Sequence, residues 1–261
     1  MSNDKCAMRL VGIEKHYGYV QALENVDFRV RHGEVVSLLG DNGAGKSTLL
    51  KVMSGAHRPT SGLIEVDGKR VSFHSPHDAA KVGIQMVYQD LALVEALDIA
   101  TNLQLGEESL ARFPWNLLGM LDRRKMQRDS LTQLERLGVR TAPPTRPVEM
   151  LSGGQRQVVA IARAAVRVLE THGRGVILMD EPTAALGYEQ TQMVQQLIRR
   201  MADEGIAIVL VTHNLPLCFE VSDRVVVMNR GRKLADVRKD DTDRDSVVGW
   251  ITGAKEERID A

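Results

Sequence analysis

The sequence predicts an α/β fold, with a mostly parallel sheet, short antiparallel strands beside it and an inserted helical segment. Three observations carry that expectation. Residues 35–39, 176–179 and 206–211 are short apolar runs, which read as strands buried on both faces. Stretches with apolar residues at helical spacing lie between them, and strands alternating with helices imply a parallel sheet with right-handed crossovers. The first run leads into a glycine-rich loop, Gly40-Asp41-Asn42-Gly43-Ala44-Gly45-Lys46-Ser47-Thr48, and then into a helical stretch.

That loop fits G-x-x-x-x-G-K-[ST], with Gly40, Gly45, Lys46 and Ser47 on the fixed positions. A chance Gly-rich turn would match the pattern without the strand before it and the helix after it. Backbone N–H groups and a helix N-terminus together make an anion site. The glycines let the backbone approach phosphate oxygens. Lys46 is placed to reach the β- and γ-phosphates, and the Ser47 hydroxyl to bind Mg²⁺.

Bulk properties bound the rest. At 261 residues the chain suits one large domain or one domain with an inserted lobe. Apolar content of 43% and charged content of 26% are those of a globular protein. Lys+Arg and Asp+Glu are both 34, and zero net charge argues against a non-specific nucleic-acid footprint. Cys6 and Cys218 form no metal-ligand spacing and no disulfide framework, which fits a reduced, cytosolic compartment. Residues 1–5 are polar with no apolar h-region behind them, so no signal peptide is expected. No apolar run approaches the roughly 18 residues that span a bilayer. If the protein works at a membrane, another subunit supplies the spanning helices.

Residues 9–14 read as a strand, with Tyr17 and Tyr19 in a Gly-containing turn after it. Residues 26–30 alternate as a half-buried antiparallel strand does. A helix starts near Thr48. Residues 63–69 read as a strand ending in an Asp-Gly turn. Residues 75–83 read as a short helix capped by Ser75 or Asp78 and ended by Gly83. A strand at 84–88 delivers Gln89 at its end. From 90 helical periodicity replaces alternation. Residues 120–137 form an amphipathic helix with Leu121, Met126, Leu131, Leu134 and Leu137 on or near one face. Residues 141–147 are a Pro-rich, stiff connector. These features divide the chain into a core of 1–89 and 156–261 and an inserted helical subdomain of 90–155. A helix then runs to about Glu170, another covers about 189–203, and 225–232 read as a strand and hairpin turn.

The run at 176–179 ends in Asp180-Glu181, and ligands of open α/β sheets bind at such C-terminal strand ends. Asp180 is positioned to hold Mg²⁺ opposite Ser47. Glu181 is the candidate base that activates water for attack on the γ-phosphate. A solvated acidic pair would be the reading if the phosphate loop were absent. The run at 206–211 delivers Thr212 and His213.

These motifs, in this order, resemble the ATP-binding subunit of an ABC transporter. Residues 40–48 match its Walker A loop and Gln89 its Q-loop glutamine. Leu151-Ser152-Gly153-Gly154-Gln155 matches its signature, residues 176–181 its Walker B strand with the catalytic Glu, and His213 its switch histidine. The resemblance spans about 10–253 and implies a P-loop NTPase core of the RecA-like type, with a flanking antiparallel β-subdomain and an inserted α-helical subdomain. It implies an ATPase that binds ATP and Mg²⁺. It implies that Gln89 binds Mg²⁺ or the attacking water, and that His213 keeps Glu181 and the water aligned. Tyr17 matches the aromatic that stacks on adenine, with Tyr19 as a competitor. Ser152, Gly153 and Gly154 open a helix that begins near Gln155, and the resemblance implies that this second anion site serves the ATP of a partner copy. A two-fold homodimer with two composite sites follows.

One position departs from the family. The run Pro182-Thr183-Ala184-Ala185-Leu186-Gly187 has Gly187 where an Asp usually closes the D-loop, which puts that contact across the dimer in doubt. The Ala-Ala-Leu-Gly form looks like the simple-sugar importer branch, as do residues 75–79, 88–93 and Gly249-Trp250-Ile251-Thr252-Gly253. The likeness is greatest to single-domain, fructose-type subunits. It implies membrane permease subunits, a sugar-binding protein outside the membrane, no nucleic acid, and a peripheral place on the cytoplasmic membrane face. The apolar residues Leu91, Ala92, Leu93, Val94 and Leu97 read either as core of the lobe or as a groove for a permease helix. Rival readings are a soluble ABC ATPase of DNA repair or translation, an exporter ATPase, and a degenerate regulatory module. The first would carry coiled-coil insertions, zinc cysteines or tandem domains. The second fits the 184–187 run poorly, and the third fits poorly with Lys46, Asp180, Glu181 and His213 all present.

Overall fold

The computed structural model describes residues 6–111, 120–139, 142–172, 175–184, 186–255 and 258–259. The polar N-terminal residues 1–5, Thr141 of the connector and Ala185 of the 182–187 run lie outside them. Among the described residues the central sheet has seven strands in the order β11-β10-β9-β3-β8-β7-β6, with β10 (Arg232–Arg238) and β11 (Arg258–Ile259) at one edge. Its parallel heart is β9 (Arg224–Asn229), β3 (Val35–Leu39), β8 (Ala207–Val211), β7 (Val176–Asp180) and β6 (Ile84–Val87). Strand alternation divides its apolar side chains between two cores. Ile177, Met179, Ile208 and Leu210 join a cluster with α5 (Gly153–His172) and α6 (Tyr188–Asp203). Val176, Leu178, Ala207 and Val209 join another with α1 (Lys46–Met53). Layers on both faces are why residues 176–179 and 207–211 are continuously apolar rather than apolar at every second position.

A four-stranded antiparallel sheet, β2-β1-β4-β5, closes the second core. β1 (Cys6–Tyr17) and β2 (Val20–Arg31) are longer than the expected 9–14 and 26–30. Register shifts interrupt their pairing at several points, and each shift breaks the period-two pattern that would have marked a strand. Tyr17 ends β1 rather than lying in the turn, which is Gly18-Tyr19. β4 (Ser61–Val66) and β5 (Lys69–Val71) flank an Asp67-Gly68 turn with φ of 50° and 73°, as a tight hairpin requires.

Arg224 joins the two sheets. It is 2% exposed. Its Nε donates to Glu34 Oε1 at 2.7 Å, and its Nη atoms donate to Asp236 and to the Arg29 carbonyl of β2. Lys233 Nζ reaches Asp236 at 2.9 Å, so neither buried carboxylate is unpaired.

Between β6 and α5 the chain is irregular to residue 98, then forms α3 (Ile99–Leu103) and α4 (Arg123–Arg136). α4 starts later than the expected 120, because the Asp122 side chain caps it by accepting from Lys125 N. Met126, Leu134 and Leu137 are buried as expected, whereas Leu121 precedes the helix and Leu131 is exposed. α2 (Pro76–Lys81) uses both candidate caps: Ser75 Oγ accepts from Asp78 N, and Asp78 accepts from His74 N. α7 (Leu215–Val221) and α8 (Arg244–Thr252) follow towards the C-terminus. Trp250 of α8 is buried in a third cluster with Leu39, the last residue of β3.

Candidate functional site

The C-terminal ends of β3, β7 and β8 lie side by side and gather the site. Gly40, Gly43 and Gly45 have φ of 147°, 78° and 102°, values that side-chain-bearing residues rarely adopt. A Cβ on Gly40 would lie 2.3 Å from the Met228 carbonyl oxygen, so only glycine fits between loop and β9. The turn after β9 braces the loop again, since Gly231 N donates to Ala44 O at 3.0 Å. Asp41, Asn42, Gly43 and Ser47 are exposed, Ala44 is buried and Thr48 half-buried. Lys46 Nζ donates to Gly40 O at 2.8 Å and Asp41 O at 2.9 Å, across the loop's own carbonyls. Burial pulls the Lys46 amine below its usual range, while the charges of Glu181, Asp41 and Asp180 work the other way.

Asp180 ends β7 opposite Val211 of β8, and Glu181 N donates to Val211 O at 2.9 Å. Burial pushes the Asp180 carboxyl up, the Glu181 charge adds to that, and Lys46 opposes it. Glu181 has φ of 51°. A long side chain held in the left-handed region is strained, and here it turns the chain out of β7 while Ala184 N donates back to Glu181 O. His213 Nδ1 lies 2.8 Å from Glu181 Oε1, with His213 79% exposed and Glu181 21%. The Glu181 carboxylate and the His213 ring therefore meet directly, on a geometry set by two adjacent strand ends.

Gln89 is exposed just beyond β6, the strand beside β7. Tyr17 stacks edge-on against His57 at 5.6 Å with Lys15 Nζ 5.1 Å from its ring centroid, whereas Tyr19 is fully exposed at the hairpin tip. The signature residues sit elsewhere. Their helix begins at Gly153, not near Gln155. Ser152 N donates to Gln155 Oε1 at 3.0 Å, and Gln155 N donates to Ser152 Oγ at 3.3 Å, a reciprocal capping box. The Gln155 side chain is thus committed to the helix start. Gly154 packs on Gln190 of α6, while the phosphate loop is bordered by Met228, Gly231 and Ala22.

Sequence reading missed three supports. Asn214 caps α7 by accepting from Leu217 N, and Thr212, 1% exposed, accepts from Asn214 N, which fixes the chain around His213. Asn214-Leu215-Pro216 is a legible helix start. The hairpin turn after β9 was legible, but its place behind the loop was not, and the Gln190 contact leaves no local signal either.

A family model described as ABC transporter matches residues 23–184. The chain belongs to the ABC transporter family. The fructose import ATP-binding protein of Rhizobium meliloti is 44% identical over 250 residues, covering 94% of this chain and 93% of that protein. The xylose/arabinose import ATP-binding protein of Sulfolobus acidocaldarius is 40% identical over 240 residues, covering 92% and 91%. A ribose import ATP-binding protein of Streptomyces avermitilis is 39% identical, and this ABC chain spans 46% of its length. Among solved structures, the ADP conformation of an ATP-binding cassette of an ABC transporter is similar, with a TM-score of 0.77, 25% identity and 95% of each chain covered. A dimeric bacterial ABC transporter cassette is similar too, with a TM-score of 0.71, 26% identity, and 89% of this chain and 98% of that one covered. The fold is that of an ABC ATPase cassette, a P-loop NTPase with a β-subdomain.

Proposed function

We propose that this chain is the ATP-hydrolysing subunit of an ABC importer that takes up a simple sugar through a separate permease. The observation that carries the reading is the convergence of loop 40–48, Asp180 and the Glu181–His213 pair at one set of strand ends. The printed names of the fructose, xylose/arabinose and ribose relatives support the sugar class.

In the mechanism the loop amides and the α1 N-terminus cradle the phosphates. Lys46 exchanges its bonds to Gly40 O and Asp41 O for phosphate oxygens. Glu181 accepts a proton from the attacking water, and His213 holds Glu181 in place. Tyr17 stacks on adenine, its ring steadied by His57. Ser47, Asp180 and Gln89 would hold Mg²⁺. The fit rests on Asp180, a half-buried carboxylate at the end of β7 that feels the charges of both Glu181 and Lys46. Mg²⁺ is commonly held by one or two carboxylates together with substrate phosphates, and it supplies charge neutralisation of the leaving phosphate.

Ser152, Gly153 and Gly154 complete the site of a second copy, and Gln155 takes part by holding the helix start that presents them. A Cβ on Gly153 would meet nothing within 4 Å, and a glycine in a first helical turn costs up to about 1 kcal/mol relative to Ala. Among the described residues no contact requires its smallness, which fits close approach by a partner's nucleotide. Residues 90–155 act as the inserted helical subdomain beside a core of 1–89 and 156–261. Between them lie grooves of about 330 Å³ and 600 Å³, both lined by Gln85 and Arg167. Leu91 and Ala92 line the smaller one, whereas Leu93 packs on the core. The groove suits a permease helix, which would place the chain on the cytoplasmic membrane face, with a sugar-binding protein serving the other side. No helix among the described residues is long and apolar enough to cross a membrane.

The test is Glu181→Gln. The variant is expected to keep ATP binding and lose phosphate release. Wild-type turnover in that variant would remove the base assignment.

A further inference from the structure

We infer that Gln190 is a positioning residue that locks the start of α5 to the start of α6, so that signature and D-loop move as one piece. The inference rests on reading Ser152–Gly154 as the segment that meets a partner's nucleotide. Gly154 is the second residue of α5, and Gly187 is the N-cap of α6 with φ of −71°. Gly154 has no positive φ either. Backbone conformation therefore requires glycine at neither position, and space does. A Cβ on Gly154 would lie 2.1 Å from Gln190 Cγ and 2.7 Å from its Cβ. A Cβ on Gly187 would lie 2.7 Å from Gln190 Oε1. One half-buried side chain, from the third residue of α6, fills the space that both glycines leave.

The contact joins two functional segments. The described residues between Glu181 and α6 are tied by hydrogen bonds: Ala184 N donates to Glu181 O, Leu186 N to Thr183 O, and Thr191 N to Gly187 O. Displacement of Ser152–Gly154 is transmitted through the Gln190 stem to Gly187 and from there towards Glu181. The Gly187 departure also acquires a reason. An Asp there would bring its Cβ to 2.7 Å from the Gln190 amide oxygen, so the Gln190 amide would have to leave its present place for Asp to sit at 187.

The test uses the full chain carrying Glu181→Gln, which traps bound ATP, and measures ATP-driven dimerisation by sedimentation beside ATP binding to dilute, monomeric protein. Gln190→Ala is expected to weaken dimerisation at least about tenfold, the scale of a small misplacement in a composite site, with monomer ATP binding unchanged. Gln190→Met keeps the stem on Gly154 and is expected to recover most of that loss. Gly187→Ala, which pushes the amide aside, is expected to act in the same direction but more weakly. Its effect should vanish in the Gln190→Ala background, because the two changes remove one contact. Dimerisation of Gln190→Ala equal to that of its parent overturns the inference, as does an additive double variant or a parallel loss of monomer ATP binding. If the Glu181→Gln parent itself does not dimerise with ATP, the composite-site reading falls and this inference with it.

Discussion

Replacing His213 by Ala separates catalysis from stability in this site. The Nδ1–Oε1 distance to Glu181 is 2.8 Å, yet His213 is 79% exposed. A polar contact of that exposure contributes about 0–1 kcal/mol to folding. Unfolding entropy near 2.1 cal/mol/K per residue gives about 0.55 kcal/mol/K for a chain of this length, so the melting temperature should fall by no more than about 2 °C. The chemical step should respond very differently. Loss of the group that orients a general base costs about 10²–10⁴ in rate, equivalent to about 2.7–5.4 kcal/mol of barrier. Steady-state phosphate release at saturating ATP and Mg²⁺, with melting curves of the same samples, measures both. Undiminished kcat would refute the orienting role. A melting loss above about 5 °C would show instead that His213 holds the fold and that the activity loss is indirect.

Two other outcomes follow from buried charge. Arg224→Met removes the guanidinium that Glu34 and Asp236 share, leaving Lys233 on Asp236 and the Arg31 N–H on Glu34, and breaking a buried pair costs about 3–5 kcal/mol. Thermal melting should drop by about 5–9 °C, and a drop under 2 °C would mean that the network is not a stabilising one. Asp180→Asn should raise the melting temperature of nucleotide-free protein at pH 7 while abolishing hydrolysis. The Asp180 carboxyl is held above its ordinary range by burial and the Glu181 charge. The stability it contributes is therefore fully present below the unfolded-state value and is lost as pH rises through the folded-state one. Wild type and variant should converge in acid and separate towards neutral pH, and a lower melting temperature for the variant at pH 7 would contradict this.

The phosphate loop, the Walker B strand and the His213 strand were legible because each is a local signal: glycine spacing, or a continuous apolar run between two cores. The capping box at Ser152–Gln155 was equally local, and its Ser-x-x-Gln spacing marks the helix start at Gly153 despite the two glycines. α7 and α8 carry Asn214 and Asp243 as caps, signals overshadowed by the motifs beside them. The length of β1 was hidden by its register shifts. Three features were beyond sequence altogether, because each joins residues far apart in the chain. They are the Glu181–His213 contact geometry, the Arg224 network across two sheets, and the Gln190 wedge between Gly154 and Gly187. The strained φ of Glu181 likewise depends on the strand end that imposes it.

The central claim is that each ATP site takes its phosphate loop from one copy and its signature from another. Mixing two inactive variants, Lys46→Ala and Ser152→Arg, tests it directly by ATPase assay. A mixed dimer holds one site with both Lys46 and Ser152 intact. Random pairing should therefore restore up to about a quarter of wild-type turnover, as expected for two equivalent sites in a two-fold dimer. If each site were built within one chain, the mixture would stay as inactive as its components.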